Sequence, residues 1–313
     1  MPEPFDPGQA EILVTGYMHP GYAEALAEFG TPRLLPRSGG WILERPIRGS
    51  AERDAMGCYP LFACQDWTGL EDDLSEVCER LVSLVLVSDP FGNYSAESLR
   101  SAFGDLVIPF KEHFIVDLSL GPEACVHAHH RRNARKALEE VEVEACEDAA
   151  QVLDEWQELY SHLIERHAIK GISAFSKESF ACQLKVPGAH LFRAVHAGST
   201  VGMLWWYRQG EVAYYHLGAY NEAGYRLRAS FALFWRAIEY FAASGLRWLN
   251  LGAGAGLSAE GSDGLTRFKR GWATGTRTAY LCGRIFQPDK YRELAGDAGG
   301  SNYFPAYRRG EFA

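Results

Sequence analysis

"AHLFRAVHA" (189–197), "STVGMLWWYRQ" (199–209) and "EVAYYHLGAY" (211–220) follow one another across single glycines. The Gly-Ser and Gly turns between them predict antiparallel strands joined by tight hairpins. The next stretch, "YRLRASFALFWRAIEYFAASG" (225–245), changes period. Phe231, Phe234, Trp235, Ile238 and Phe241 fall on one helical face, and Gly245 supplies the stop. "LRWLNLG" (246–252) then reads as a buried strand, and "TAYLCGRIF" (278–286) as another, after a short helix.

Upstream of the hairpins, "GPEACVHAHHRRNARKALEEVEVEA" (121–145) opens with Gly-Pro, continues as a basic helix and ends in a short alternating strand. "EDAAQVLDEWQELYSHLIERH" (147–167) is an amphipathic helix with Val152, Trp156, Leu159 and Leu163 on one face. "SKESFACQL" (176–184) is a shorter helix capped by Ser176. The order from 141 to 286 is therefore strand, two helices, three antiparallel strands, long helix, strand, short helix, strand.

The first third is less sharply drawn. "EILVTGY" (11–17), "GGWILERPI" (39–47), "CYPLFACQDW" (58–67) and "EHFIVDLSL" (112–120) have strand character. "LEDDLSEVCERLVSLVLV" (70–87) has helical spacing throughout, and "SAESLRSAFG" (95–104) is a helix between a Ser cap and a Gly stop. The expectation is an α+β chain of two domains, 1–120 and 121–313, each a mixed, mostly antiparallel sheet flanked by helices.

Composition narrows the function classes. The 313 residues carry 31 basic and 40 acidic side chains, a net charge of −9, which opposes a general polyanion binder while allowing a local basic patch. Seven cysteines, an odd number without a C-x-x-C pair, predict reduced thiols. The acidic, proline-containing start has no signal-peptide pattern, and the longest apolar run, "LVSLVLV" (81–87), is too short to span a bilayer. A cytoplasmic location without membrane attachment is expected.

"GLTRFKRGWATGTR" (264–277) places Arg267, Lys269, Arg270 and Arg277 beside Phe268 and Trp272. A solvated helix face explains such a patch, and so does a site that holds an anion. "HAHH" (127–130) has no acidic or cysteine partner at ligand spacing, so no metal site is expected. "GAGAG" (252–256) is not a dinucleotide fingerprint, because Leu257 stands where the third glycine would fall.

The element order matches the GNAT (general-control-related N-acetyltransferase) fold, and two motifs carry a sharper likeness. "HRRNARKALEEVEVE" (130–144) resembles the basic helix and strand that open the second domain of FemAB-like aminoacyltransferases and double-GNAT proteins. "LNLGAG…DGLTRFKRGWAT" (249–274) resembles their C-terminal signature of a strand, a spacer and a Phe-Lys helix. The strand here ends Asn-Leu-Gly-Ala where the family has Asp-Phe-Gly-Gly, so Asn250 stands where a carboxylate is usual. The chain has no room for the coiled-coil arm that some cell-wall members insert for tRNA binding.

The resemblance implies a set of site residues. Lys269 would stabilise negative charge near the reacting ester, with Arg267 and Arg270 on phosphate. Arg277 is assigned to the start of the last strand. The donor's phosphates would sit at the N-terminus of the helix after the third hairpin strand, where Arg226, Arg228 and Ser230 lie. There Ala229 replaces the first glycine of the acetyl-CoA turn, and Phe231 would crowd a pyrophosphate, which tilts the donor away from CoA. Arg132 and Arg135 could track a phosphate backbone, or form a solvated face balanced by Glu139 and Glu140. Trp206, Tyr215 and Asn250 are candidate acceptor contacts, and His216 is a candidate general base; core packing is the competing reading for the aromatics.

The implied function is amide-bond formation, with an aminoacyl group passing from aminoacyl-tRNA to the amine of a small or peptidyl acceptor. Aminoacyl-tRNA, or alternatively acyl-CoA, would be a co-substrate, with no tightly bound cofactor. An acyl-CoA N-acyltransferase and a non-catalytic binding module are the competing expectations.

Overall fold

The computed structural model describes residues 13–167, 171–254, 264–296 and 303–311. Over the described part of 11–17 no strand forms: residues 13–15 are irregular, and Gly16 turns the chain at φ +61 into a 3-10 turn. Helix α1 (Pro20–Glu24) follows, then the antiparallel strands β1 (Thr31–Leu35), β2 (Gly40–Pro46) and β3 (Arg53–Gly57). The strand expected over 58–67 is instead an irregular connection joined to the sheet by one bridge, Phe62 to Ser88. Pro60 removes a ladder donor there, and consecutive side chains are buried without alternation.

The helix expected over 70–87 divides. Its first part is α2 (Leu70–Val77), and "SLVLV" is strand β4 (Ser83–Val87). A short apolar run in a fully covered strand has the same periodicity as a buried helix segment, so spacing alone misassigns it. Helix α3 (Ala96–Phe103) begins at a reciprocal Ser95–Ser98 capping box and stops at Gly104, as its sequence predicts. Strand β5 (Leu106–Asp117) starts earlier than expected.

The second half follows the predicted order: α4 (Pro122–Cys125), α5 (Ala128–Leu138), β6 (Glu142–Cys146), α6 (Leu153–His167), α7 (Lys177–Gln183), β7 (Ala189–His196), β8 (Ser199–Gln209) and β9 (Val212–Tyr220). The long helix is in two pieces, α8 (Glu222–Leu227) and α9 (Ala229–Ala243), broken by Arg228 in the left-handed conformation at φ 57. Strand β10 (Trp248–Asn250), helix α10 (Gly264–Arg270), strand β11 (Gly275–Ile285) and helix α11 (Pro288–Ala295) complete the series.

The strands form one sheet in the order β1-β2-β3-β4-β11-β5-β10-β9-β8-β7-β6. Each flank is an antiparallel run ending in a parallel pair, β3 with β4 and β9 with β10. The next neighbour then comes from the other half: β11 pairs with β4, and β5 pairs with β10. The last strand therefore lies in the N-terminal flank, between β4 and β5.

Helices cover both faces. On one, α5 and α9 pack Ala134, Ala137, Leu233, Phe234, Ile238 and Phe241 against Val116, Leu204, Trp206 and Leu249. On the other, α6, α7 and the N-terminal segment pack Trp156, Tyr160, Phe180, Tyr17 and Tyr22 against Trp205, Tyr207 and Tyr214. Strands β8 and β9 are apolar on successive residues because both of their faces are covered. Among the described residues, no helix is long and apolar enough to cross a membrane, and all seven cysteines are free thiols.

Candidate active site at the splayed strand pair

Strands β9 and β10 run parallel for only three paired positions, Val212–Trp248, Ala213–Leu249 and Tyr214–Asn250. Strand β9 continues to Tyr220, whereas the chain after Asn250 stays with β5. Leu251 N–H donates to Phe114 O at 2.9 Å, and Phe114 N–H donates to Gly252 O at 3.1 Å. Gly252, at φ +71, then turns the chain, in a conformation that favours glycine. Beyond Tyr214 the two strands part, and the gap between them receives Lys269.

Lysine is seldom buried without a partner, yet Lys269 is only 6% exposed. Its Nζ donates to Ala253 O at 2.6 Å and lies 5.5 Å from the centroid of the Tyr215 ring. Helix α10 is held in place by aromatic packing. Trp272 is fully buried against Phe234, and Phe268 contacts Phe231 and Phe234. His130 of α5 lies among these rings and donates from Nε2 to Phe268 O at 2.9 Å. A Cβ on Gly271 would come within 2.1 Å of the His130 ring, so this approach requires glycine. Arg267 and Arg270 lie on the exposed side of α10, so the cations of this helix are not equivalent.

A residue not singled out in the sequence completes the site. His113 of β5 is buried, and its Nδ1 lies 3.0 Å from Asn250 Oδ1. That oxygen also accepts the Gly252 N–H at 2.9 Å, which fixes the amide orientation and makes Nδ1 the donor. Burial, reinforced by the nearby Lys269 charge, lowers His113 to about 4, against the opposing hydrogen bond to Asn250. Asn250 Nδ2 is buried with no partner among the described residues. A lone histidine within a strand carries no spacing signal; only the pairing of β5 with β10 places it here.

The phosphate candidates fall into two groups. Arg228 donates from Nη1 to Asn133 Oδ1 at 3.1 Å, joining the start of α9 to α5, and Asn133 in turn contacts His129 at 2.9 Å. Arg132 lies on the same stretch, 3.3 Å from His129 Nδ1, so Arg132, Arg228 and the first turn of α9 with Ser230 come together. Arg135 instead pairs with Glu123, as does Arg131; the predicted counter-charges Glu139 and Glu140 are not its partners. Arg226 is exposed on α8. Phe231 turns inward onto His130, Phe268 and Trp272. In "HAHH", His127 caps α5, and His129 and His130 serve the contacts just named.

Two candidates lie elsewhere. Trp206 is fully buried against Tyr215, Phe234 and Phe241, a core position without access to an acceptor. His216 is the extra residue of a bulge, where the register jumps from Trp205–Leu217 to Trp206–Tyr215. It therefore faces the α6 side with Tyr214, while Tyr215 faces Lys269. Both ring nitrogens are engaged, Nδ1 with Tyr17 Oη at 3.2 Å and Nε2 with Gln183 Oε1 at 2.8 Å. Burial lowers it to about 3. A histidine with both ring nitrogens engaged cannot serve as base there. "GAGAG" runs past residue 254, so its end lies outside the described residues.

Residues 126–270 match the family model described as an acetyltransferase (GNAT) domain. Among solved structures, the crystal structure of FemX aligns with a TM-score of 0.66 at 14% identity, over 88% of this chain and 93% of that one. The fold is that of the FemAB-like GNAT proteins. The C-terminal domain of a putative lysylphosphatidylglycerol synthetase from Agrobacterium fabrum aligns at 0.61 and 16% identity, over 84% of this chain and 87% of that one. L-PGS from Bacillus licheniformis aligns at 0.55 and 17% identity, over 86% and 93%. At these identities the likeness to FemX, the putative synthetase and L-PGS is one of fold, while the GNAT match supports an acyltransferase. No curated protein sequence matches the chain.

Proposed function

We propose that this GNAT-fold protein is an N-acyltransferase that moves an aminoacyl group from aminoacyl-tRNA to the amine of a small or peptidyl acceptor. The observation that carries the reading is Lys269, a buried cation in the gap between β9 and β10, hydrogen-bonded at 2.6 Å to the Ala253 carbonyl. A carbonyl group seated there would have its developing oxyanion stabilised by Lys269 in a water-poor setting. Arg132, Arg228 and the N-terminus of α9 would receive phosphate, with Arg267 and Arg270 as outer cations. The name of one structural neighbour, a putative lysylphosphatidylglycerol synthetase, supports an aminoacyl donor. Free thiols support a cytoplasmic setting.

We also propose that the units are residues 1–120 and 121–313. The repeated pattern of antiparallel run, parallel pair and exchanged strand supports two copies of one architecture.

An acyl-CoA donor is the second reading, favoured by the acetyltransferase domain match. The test supplies the purified chain and an amine library with either charged tRNA or acetyl-CoA, and reads product masses. Product that depends on charged tRNA and disappears after RNase treatment supports the aminoacyl reading. Product with acetyl-CoA alone replaces it with the second. No product with either donor leaves a binding module.

A further inference from the structure

Near enough to Lys269 to feel its charge, the His113–Asn250 pair holds an uncommitted imidazole nitrogen and an idle donor that the lysine does not explain. His113 Nδ1–H is committed to Asn250, and its Nε2 has no partner among the described residues. Asn250 is 2% exposed, and its Nδ2 donor is unsatisfied. A buried amide donor left without an acceptor is destabilising, so the unsatisfied Asn250 Nδ2 and the uncommitted nitrogen of its His113 partner together point to a ligand that uses both.

We propose that His113, supplied by the N-terminal half, is the proton acceptor for the attacking amine, and that Asn250 both sets its tautomer and donates to the substrate. This rests on the acyltransferase reading. The amine lone pair forms the new N–C bond as the carbonyl π electrons move to oxygen, beside Lys269. Nε2 takes a proton from the attached ammonium. The oxyanion then re-forms C=O as the bond to the ribose oxygen, or to the thiol sulfur, breaks. The imidazolium returns its proton to that leaving atom, so ester and amine become amide and alcohol with His113 neutral again.

The environment suits that sequence of events. The charged and titratable groups around His113 are Lys269 from α10, Arg277 directly opposite on β11, and Lys111 and Glu112 on its own strand. Burial first, and then the Lys269 and Lys111 charges against the opposing Asn250 bond and Glu112, keep the ring neutral before reaction. An oxyanion formed next to Lys269 offsets one cation at the moment the imidazole must accept charge, raising its proton affinity when needed.

Three measurements decide it. Nitrogen-15 NMR of labelled histidine, assigned with a His113→Gln variant, should show Nδ1 protonated and Nε2 bare from about pH 5 to 8; a proton on Nε2 overturns the proposal without any assay. In the wild-type-active transfer reaction, His113→Gln should lower kcat by about 100-fold or more with KM changed less than about threefold. A fully active variant overturns the assignment and leaves the acyltransferase reading standing, whereas an inactive wild type removes both. Asn250→Asp should stabilise the imidazolium and move the acidic limb of kcat to higher pH by about one unit or more; an unmoved limb overturns the proposal.

Discussion

Two histidines of one sheet, both buried and both held neutral, occupy opposite kinds of surroundings. His216 sits in a closed cage of Tyr17, Tyr22, Tyr207 and Phe175, with hydrogen bonds to both nitrogens. His113 sits at the end of a parted strand pair, with one nitrogen fixed by Asn250 and a lysine close by. Desolvation lowers both, to about 3 and about 4, so a depressed histidine does not by itself mark a reactive one. What separates them is an uncommitted ring nitrogen on His113, whose Asn250 partner also carries an unsatisfied donor. The cage is closed chemistry, built for rigidity; the splay is open chemistry.

The largest effect should come from the open region. Lys269→Ala is expected to reduce transfer by about 100- to 1000-fold, with the melting temperature nearly unchanged; full activity would remove Lys269 from the chemistry. The matching change in the cage, His216→Phe, leaves Gln183 Oε1 and the Tyr17 hydroxyl without this partner. It should cost about 3 kcal/mol of stability in denaturant titration while kcat stays within about twofold, and a large selective loss of kcat would erase the contrast between the two histidines.

Next to the cage, behind Tyr214, lies Asp89, which accepts from Tyr214 Oη at 2.8 Å and is raised by burial to about 6. A carboxyl whose folded value lies above its unfolded 3.8 holds its proton longer when folded, so its contribution falls as pH rises between those two values. Asp89→Asn should therefore gain stability relative to the wild type across about pH 4 to 6, by up to about 3 kcal/mol at the top of that window. Melting curves in which the gap stays constant with pH would count against that burial cost. The smallest expected effect is Gly271→Ala, which pushes the His130 ring off α10. About 2 kcal/mol of stability should be lost, with some loss of transfer as Lys269 shifts.

Legibility in the sequence followed local signal. The three hairpin strands, the α9 face and the Ser95 and Ser176 caps are written in spacing and cap chemistry, and form as expected. Lys269 was singled out because Phe-Lys sits in a family-like motif, and the structure buries it. His113 carries no such mark, because it meets Asn250 across 137 residues of chain and only topology brings them together. His216 misled for a related reason: a single-residue bulge reverses the face that simple alternation assigns. The apolar run at 83–87 failed on an ambiguity of period, not of composition.

The exchange of β11 into the N-terminal flank has a consequence for biogenesis. Synthesis is vectorial, and β4 and β5 leave the ribosome long before residues 275–285 exist to fill the space between them. The nascent first half therefore waits with β4 open on one edge and β5 open on both, a state exposed to mispairing. The wedge that finishes it arrives just behind α10, so the scaffold carrying His113 and the helix carrying Lys269 lock together in one late event.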